Sequence, residues 1–185
     1  MLSFIYLYFI ALGLATKTFA VAVLSSTLKP IGLKTIIKIA LIFAIVQAVM
    51  IVVGWFAGIL FSAWLEQYST SLAYSIIVIV GVKMIIGTFK LKSRIKIVDT
   101  SNNSELIILA IATGIDIFIV GMGLGLAEVQ VLRIFAVMAI IIFLMSIVGA
   151  SFGKKYPMKY GNLVEFGGGL ILVFIGIRNL IGLFG

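Results

Sequence analysis

One acidic residue decides where chemistry can lie in this chain. Asp116 sits in the apolar run 110–126, AIATGIDIFIVGMGLGL, which is long enough to cross a bilayer. A carboxylate at that depth costs at least about 2.5–3.5 kcal/mol, so it must face a partner, a water-filled cavity or an ion. Lys17 holds a comparable place in the run 11–23, ALGLATKTFAVAV. The two charges read in two ways. They form an ion or proton site in which an ammonium and a carboxylate are coupled, or a buried salt bridge that fixes the packing of two spans.

Other polar side chains lie within reach of this pair in the sequence pattern. Gln47, mid-span in ALIFAIVQAVMIVV, has an amide oxygen for a cation and an NH₂ for Asp116; the alternative is an interhelical hydrogen bond. Thr16 and Thr113 flank the charges and offer hydroxyl oxygens, although such residues commonly bond back to their own helix. Lys83 and Arg178 each fall a turn or two from a span end. Snorkelling to the interface accounts for both, and neutralising a carboxylate during gating is the other reading. Glu165 precedes Gly167–Gly169, either at the mouth of a pathway or as a solvated charge favoured by a helix N-terminus. Asp116 is the one candidate metal ligand that this pattern supplies. With no Cys and no His, a thiolate site, a disulfide framework and an imidazole relay are all excluded. No nucleophile–base pair or nucleotide-binding loop is present, so an enzyme is not expected, and no cofactor is.

These residues need membrane-spanning elements to position them. The chain of 185 residues is 63% hydrophobic and 11% charged, with a mean hydropathy of +1.33. Soluble domains carry about 45–50% apolar and about 25% charged residues. The expected fold is therefore an all-α membrane protein, whose first partner is the lipid bilayer. Six apolar runs predict spans over 3–27, 37–63, 71–90, 106–127, 133–153 and 162–184. The N-terminal run has no basic leader region and reads as a retained span.

A net charge of +8 does not point to nucleic acid here, because the basic residues punctuate the runs. Lys29, Lys34 and Lys38 follow the first run. Lys90, Lys92, Arg94 and Lys96 follow the third, and Lys154, Lys155 and Lys159 follow the fifth. The other two loops hold Arg133 alone, beside Glu66 and Glu128. The positive-inside rule places the three basic loops in the cytoplasm and both termini outside.

The chain also repeats itself. Gly54 and Gly58 of the second run correspond to Gly149 and Gly153 of the fifth. At the same offset IVGVKMIIG (79–87) corresponds to FIGIRNLIG (174–182), which matches Gly81, Lys83 and Gly87 with Gly176, Arg178 and Gly182. The first and fourth runs match Phe19 with Phe118, Val21 with Val120 and Lys17 with Asp116. Three spans is an odd number, so the halves enter the membrane from opposite sides. The organisation expected is two inverted three-helix repeats, 1–90 and 106–185, joined by a cytoplasmic linker over 91–105. Substrate sites in such folds lie near the midplane, between the repeats.

TGIDIFIVGMGLGL, ALGLATKTFAVAV, the second-run IF-x-x-V-x-x-x-x-x-x-x-GW-x-x-G, the G-x-KMII of the third run and GGGLILVFIGI of the sixth together resemble the MntP-type manganese efflux pumps. The related YtaF-type sporulation membrane proteins are also similar. The resemblance covers nearly the whole chain. It implies cation efflux across a bacterial plasma membrane, with Mn²⁺ as the transported ion. In that family each half carries an Asp in the corresponding span; Asp116 matches the second, and Glu165 matches an acid before the last glycines. Lys17 stands where the family has the first Asp, Gln47 where it has a Glu, and Gly87 where it has an acid. Lys83 stands in place of an Arg.

Mn²⁺ prefers hard oxygen ligands. An ammonium about 4 Å from a cation costs on the order of 4 kcal/mol per unit charge at an effective dielectric near 20. Two functions therefore stay open: divalent cation efflux through an altered Lys17–Asp116 site, or a differently selective or non-transporting relative in which Lys17 replaces the bound cation. Oligomerisation with further copies is left open.

Overall fold

The computed structural model describes residues 4–28, 32–65, 68–90, 102–153, 155 and 159–184. Lys29, Lys92, Arg94, Lys96, Lys154 and Glu66 lie outside them, as does most of the expected linker. The described residues form six helices: α1 (Phe4–Leu28), α2 (Leu33–Leu65), α3 (Ser69–Lys90), α4 (Asn103–Leu126), α5 (Val131–Phe152) and α6 (Lys159–Phe184). Each is long and apolar enough to cross a membrane.

Several helices begin earlier than the apolar runs predict. Hydropathy marks where a helix enters hydrocarbon, whereas the backbone starts coiling at the nearest cap. In α2 the Gly32 carbonyl accepts from the Thr35 and Ile36 amides, so Lys34 and Lys38 become helical instead of loop. Asn102 caps α4, its side-chain oxygen accepting from the Ser104 amide at 3.0 Å and satisfying one of the free donors of the first turn. Between α4 and α5 the chain turns tightly, with Glu128 at φ 53°, and the Trp55 indole N–H donates to the Val129 carbonyl at 2.6 Å.

The helices close into a ring in the order α4, α2, α5, α1, α6, α3, with α3 returning to α4. α1 and α4 also touch across the middle. α2 shows how an evenly apolar helix is oriented. Ile45, Val49, Val53, Phe56 and Leu60 face outward, while Phe43, Gln47 and Ile51 are buried. An outward apolar face is stable only against lipid, and an apolar helix of this kind is expected in a membrane span. Trp64 and Tyr68 lie exposed where α2 gives way to α3, as aromatic residues do at a membrane surface.

Glycines set the closest approaches. A Cβ on Gly54 would run into the Phe118 carbonyl, and one on Gly58 into the Met122 carbonyl. Both numbers rise together, so α2 and α4 run parallel. On the other side of the ring Gly149 meets the Phe19 carbonyl and Gly153 the Val23 carbonyl, which makes α5 parallel to α1. Gly81 abuts Gly169 and Val173, and Gly176 abuts Tyr74 and Val78, so α3 and α6 run antiparallel. Small residues at these contacts let backbones approach where lipid supplies no hydrophobic drive between helices.

Candidate functional site

Asp116 is positioned by this glycine packing. Gly114 and Gly121 seat α4 against α2, Gly114 on Met50 and Gly121 on the Ile51 backbone. That turns the carboxylate away from α2 toward the middle of the ring, where its side chain is 4% exposed. The Lys17 ammonium, from α1, binds its Oδ2. The Lys83 ammonium, from α3, binds its Oδ1. One carboxylate therefore ties three helices together, and both of its oxygens are occupied by ammonium groups. The two lysines are not equivalent. The Lys17 side chain is 22% exposed, whereas that of Lys83 is 56% exposed.

Beside this cluster runs a neutral chain of hydrogen bonds. Thr18 Oγ1 donates to Gln47 Oε1 at 2.7 Å, and Gln47 Nε2 donates to Thr113 Oγ1 at 3.1 Å. The Thr113 hydroxyl in turn donates to its own helix, 2.9 Å from the Leu109 carbonyl and 3.0 Å from that of Ala110. Gln47 is fully buried, and its amide bridges two threonines instead of meeting Asp116. Thr16 bonds back to the Gly13 carbonyl at 2.6 Å. That contact lies where α6 comes closest to α1, because a Cβ on Gly168 would strike the Thr16 hydroxyl.

The same close packing buries Glu165. The sequence leaves it at the edge of a span, either at a pathway mouth or as a solvated end charge. Because α6 starts at Lys159, Glu165 lies more than a turn inside the helix and is 2% exposed, so it is not a solvated end charge. Its Oε2 has no hydrogen-bond partner, and it interacts electrostatically with Lys17 and Asp116. Buried carboxyl oxygens are costly to leave unpaired, so an open one is a place where a ligand can be accepted. Asn162 Oδ1 and Ser146 Oγ are also buried without a partner.

Lys83 and Arg178 part company. Lys83 reaches the Asp116 carboxylate, while the Arg178 guanidinium lies over the Tyr6 ring, 5.6 Å from its centroid. Among the described residues no group of three or more His, Cys, Asp or Glu could hold a metal ion. Asp116, the candidate metal ligand, offers a cation no free oxygen in this arrangement. Sequence reasoning passed over Thr18, Asn162 and Ser146. A polar residue in mid-span is the sequence signal for Thr18 and Ser146.

Fold and site define a multi-pass membrane protein with ionised side chains held deep between its spans. The chain belongs to the family described as "Putative manganese efflux pump", which matches residues 30–180. Curated relatives bear the same description with the name MntP. That of Syntrophotalea carbinolica is 33% identical over 181 residues, 97% of this chain and 96% of the relative. That of Corynebacterium glutamicum strain R is 35% identical over 183 residues, 95% of each. An archaeal relative from Methanosarcina mazei is 33% identical over 180 residues, 97% of this chain and 96% of the relative. No solved structure matches the chain.

Proposed function

We propose that this protein is a secondary transporter that exports a divalent cation, manganese by kinship, through a site around Asp116 and Glu165. It moves an ion and is not an enzyme. The observation that carries the reading is the pairing of a buried, ammonium-bound Asp116 with a buried Glu165 that keeps an open oxygen. Thr16, Thr113, Gln47, Lys17 and Lys83 line or flank this pathway.

An inverted repeat, 1–90 against 106–185, is part of the proposal. Its support lies in the glycine contacts. Gly54 on Phe118 and Gly149 on Phe19 are matching pairs in the two halves, and so are Gly58 on Met122 and Gly153 on Val23. Gly81 against Val173 matches Gly176 against Val78. Exchanging α1 with α4, α2 with α5 and α3 with α6 returns the same ring of neighbours. Such folds expose a midplane site alternately to either side. The basic loops favour a plasma-membrane orientation with both termini outside.

The test is export itself. Expression in manganese-sensitive cells should restore growth in high manganese and lower cell manganese, and Asp116→Ala should abolish both. No rescue, together with no effect of Asp116→Ala on the flux of any metal, sinks the reading. One observation favours a second reading, in which the fold no longer moves metal: both oxygens of Asp116 are already taken by lysines of the chain itself. Thermal stabilisation of the purified protein by Mn²⁺ would count against it.

A further inference from the structure

The two ammoniums on Asp116 differ in their freedom to leave. Lys17 belongs to α1, which is enclosed by α4, α5 and α6. Its neighbours Thr16 and Thr18 are buried and hydrogen-bonded. Lys83 belongs to the flank of α3 that carries the exposed Ile79, Val82 and Ile86. One turn further on, Gly87 has open space where a side chain would stand. A lysine stem of four carbons can lie along such a flank and carry its head to the interface. Lys83 thus has a route out of the site, and Lys17 has none of comparable openness.

Withdrawal of Lys83 changes the charge balance of the cluster. Oδ1 of Asp116 becomes free, and Glu165 Oε2 is already without a partner. Lys17 then stays as the one ammonium facing two carboxyl groups. With Lys83 in place, an incoming cation meets two ammoniums at the carboxylate it needs, and like charges at that separation repel strongly in a poorly solvated interior.

We propose that Lys83 is a tethered counter-cation: its ammonium occupies the cargo position on Asp116 Oδ1, and a metal ion binds only by displacing it. Lys17 remains bound to Oδ2 throughout. Lys83 accordingly sets how tightly the site takes a cation. This rests on the reading of Asp116 and Glu165 as the cation site, but its test does not depend on transport.

The experiment uses the full chain in lipid nanodiscs and a membrane-permeant amine-reactive reagent, with modification of Lys83 read by mass spectrometry. An ion-paired ammonium is a poor nucleophile, so Lys83 should react slowly in the wild type. Asp116→Asn should speed its modification severalfold in the absence of metal. Saturating MnCl₂ should do the same in the wild type, with MgCl₂ and NaCl as alternative titrants. A rate unchanged by Asp116→Asn overturns the proposal, because Asp116 then does not hold Lys83. A rate raised by Asp116→Asn but by none of the three salts also overturns it, leaving a static salt bridge.

Since Asp116→Asn removes the tie between three helices and can impair folding, Lys83→Met supplies an independent measurement. Thermal stabilisation by MnCl₂ should reach half-saturation at a concentration roughly tenfold or more below that of the wild type, once one repelling charge is gone. Half-saturation at the same or a higher concentration overturns the proposal. Faster Lys83 modification by MnCl₂ in a protein that exports no manganese would leave the counter-cation standing and remove the export reading. Export with Lys83 modification unmoved would do the reverse.

Discussion

Lys83 and Arg178 occupy matching places in two similar stretches, IVGVKMIIG and FIGIRNLIG, yet they do different things. Lys83 crosses to the carboxylate of α4. Arg178 turns aside onto the ring of Tyr6. The residues facing them explain the contrast. α3 lies against α4 so that Lys83 reaches Asp116, whereas α1 brings Tyr6 to Arg178 and carries Lys17 about 16 Å further along the helix. The guanidinium rests on that electron-rich face, a contact worth about 0.5–2 kcal/mol. The comparison teaches that cations in similar stretches take whichever partner the helix register brings to them. One region holds a buried charge cluster, and the other a cation resting on an aromatic ring.

Three measurements break or sharpen this contrast. The largest effect is expected from Asp116→Ala, which unties three helices and leaves the Lys17 ammonium without its counter-charge; it should cost about 3 kcal/mol of stability, the low end for a buried pair because Lys83 is half-exposed. Arg178→Ala, measured alongside by thermal unfolding in the same lipid, should cost no more than the ring contact, about 0.5–2 kcal/mol. Equal losses at the two positions would erase the difference between the regions.

A middle-sized effect should appear in a double-mutant cycle of Lys83→Met with Asp116→Asn, which are in direct contact and should couple by about 0.5–3 kcal/mol. Arg178→Ala with Asp116→Asn, which share no ion pair, should add. Additivity in both cycles would erase the contrast between the two cations. The smallest effect belongs to the neutral chain beside the cluster. Gln47→Leu should cost on the order of 0.6 kcal/mol for each interhelical bond lost, and it should leave the accessibility of Lys83 unchanged. A change at Lys83 would show that the Thr18–Gln47–Thr113 chain also supports the charged cluster.

Most of the architecture was legible before any coordinates. Six apolar runs of bilayer length admit few alternatives, because backbone groups in hydrocarbon must be satisfied within each segment. Helix ends were less legible. Gly32 and Asn102 start their helices outside the apolar runs, where hydropathy carries no signal. The meeting of Lys17 with Asp116 was open to sequence reasoning because two charges in mid-span need one another. The destination of Lys83 was not. A lysine near a span end fits the interface and the interior equally well, and its choice depends on how closely α3 approaches α4. Glu165 is a similar case, since its burial comes from Gly168 pressing α6 onto α1.

The sequence by itself determined that this chain crosses a membrane six times and that it places one carboxylate and one ammonium in the middle of two spans. Those properties depend on local composition and spacing, which apolar surroundings read directly. Only the tertiary structure decided that Asp116 receives a second ammonium, that Gln47 bridges threonines, and that Glu165 is sealed in with an oxygen to spare. These outcomes turn on which helix faces which at separations of a few ångströms. That geometry is set by the summed packing of all six helices, and no single span encodes it.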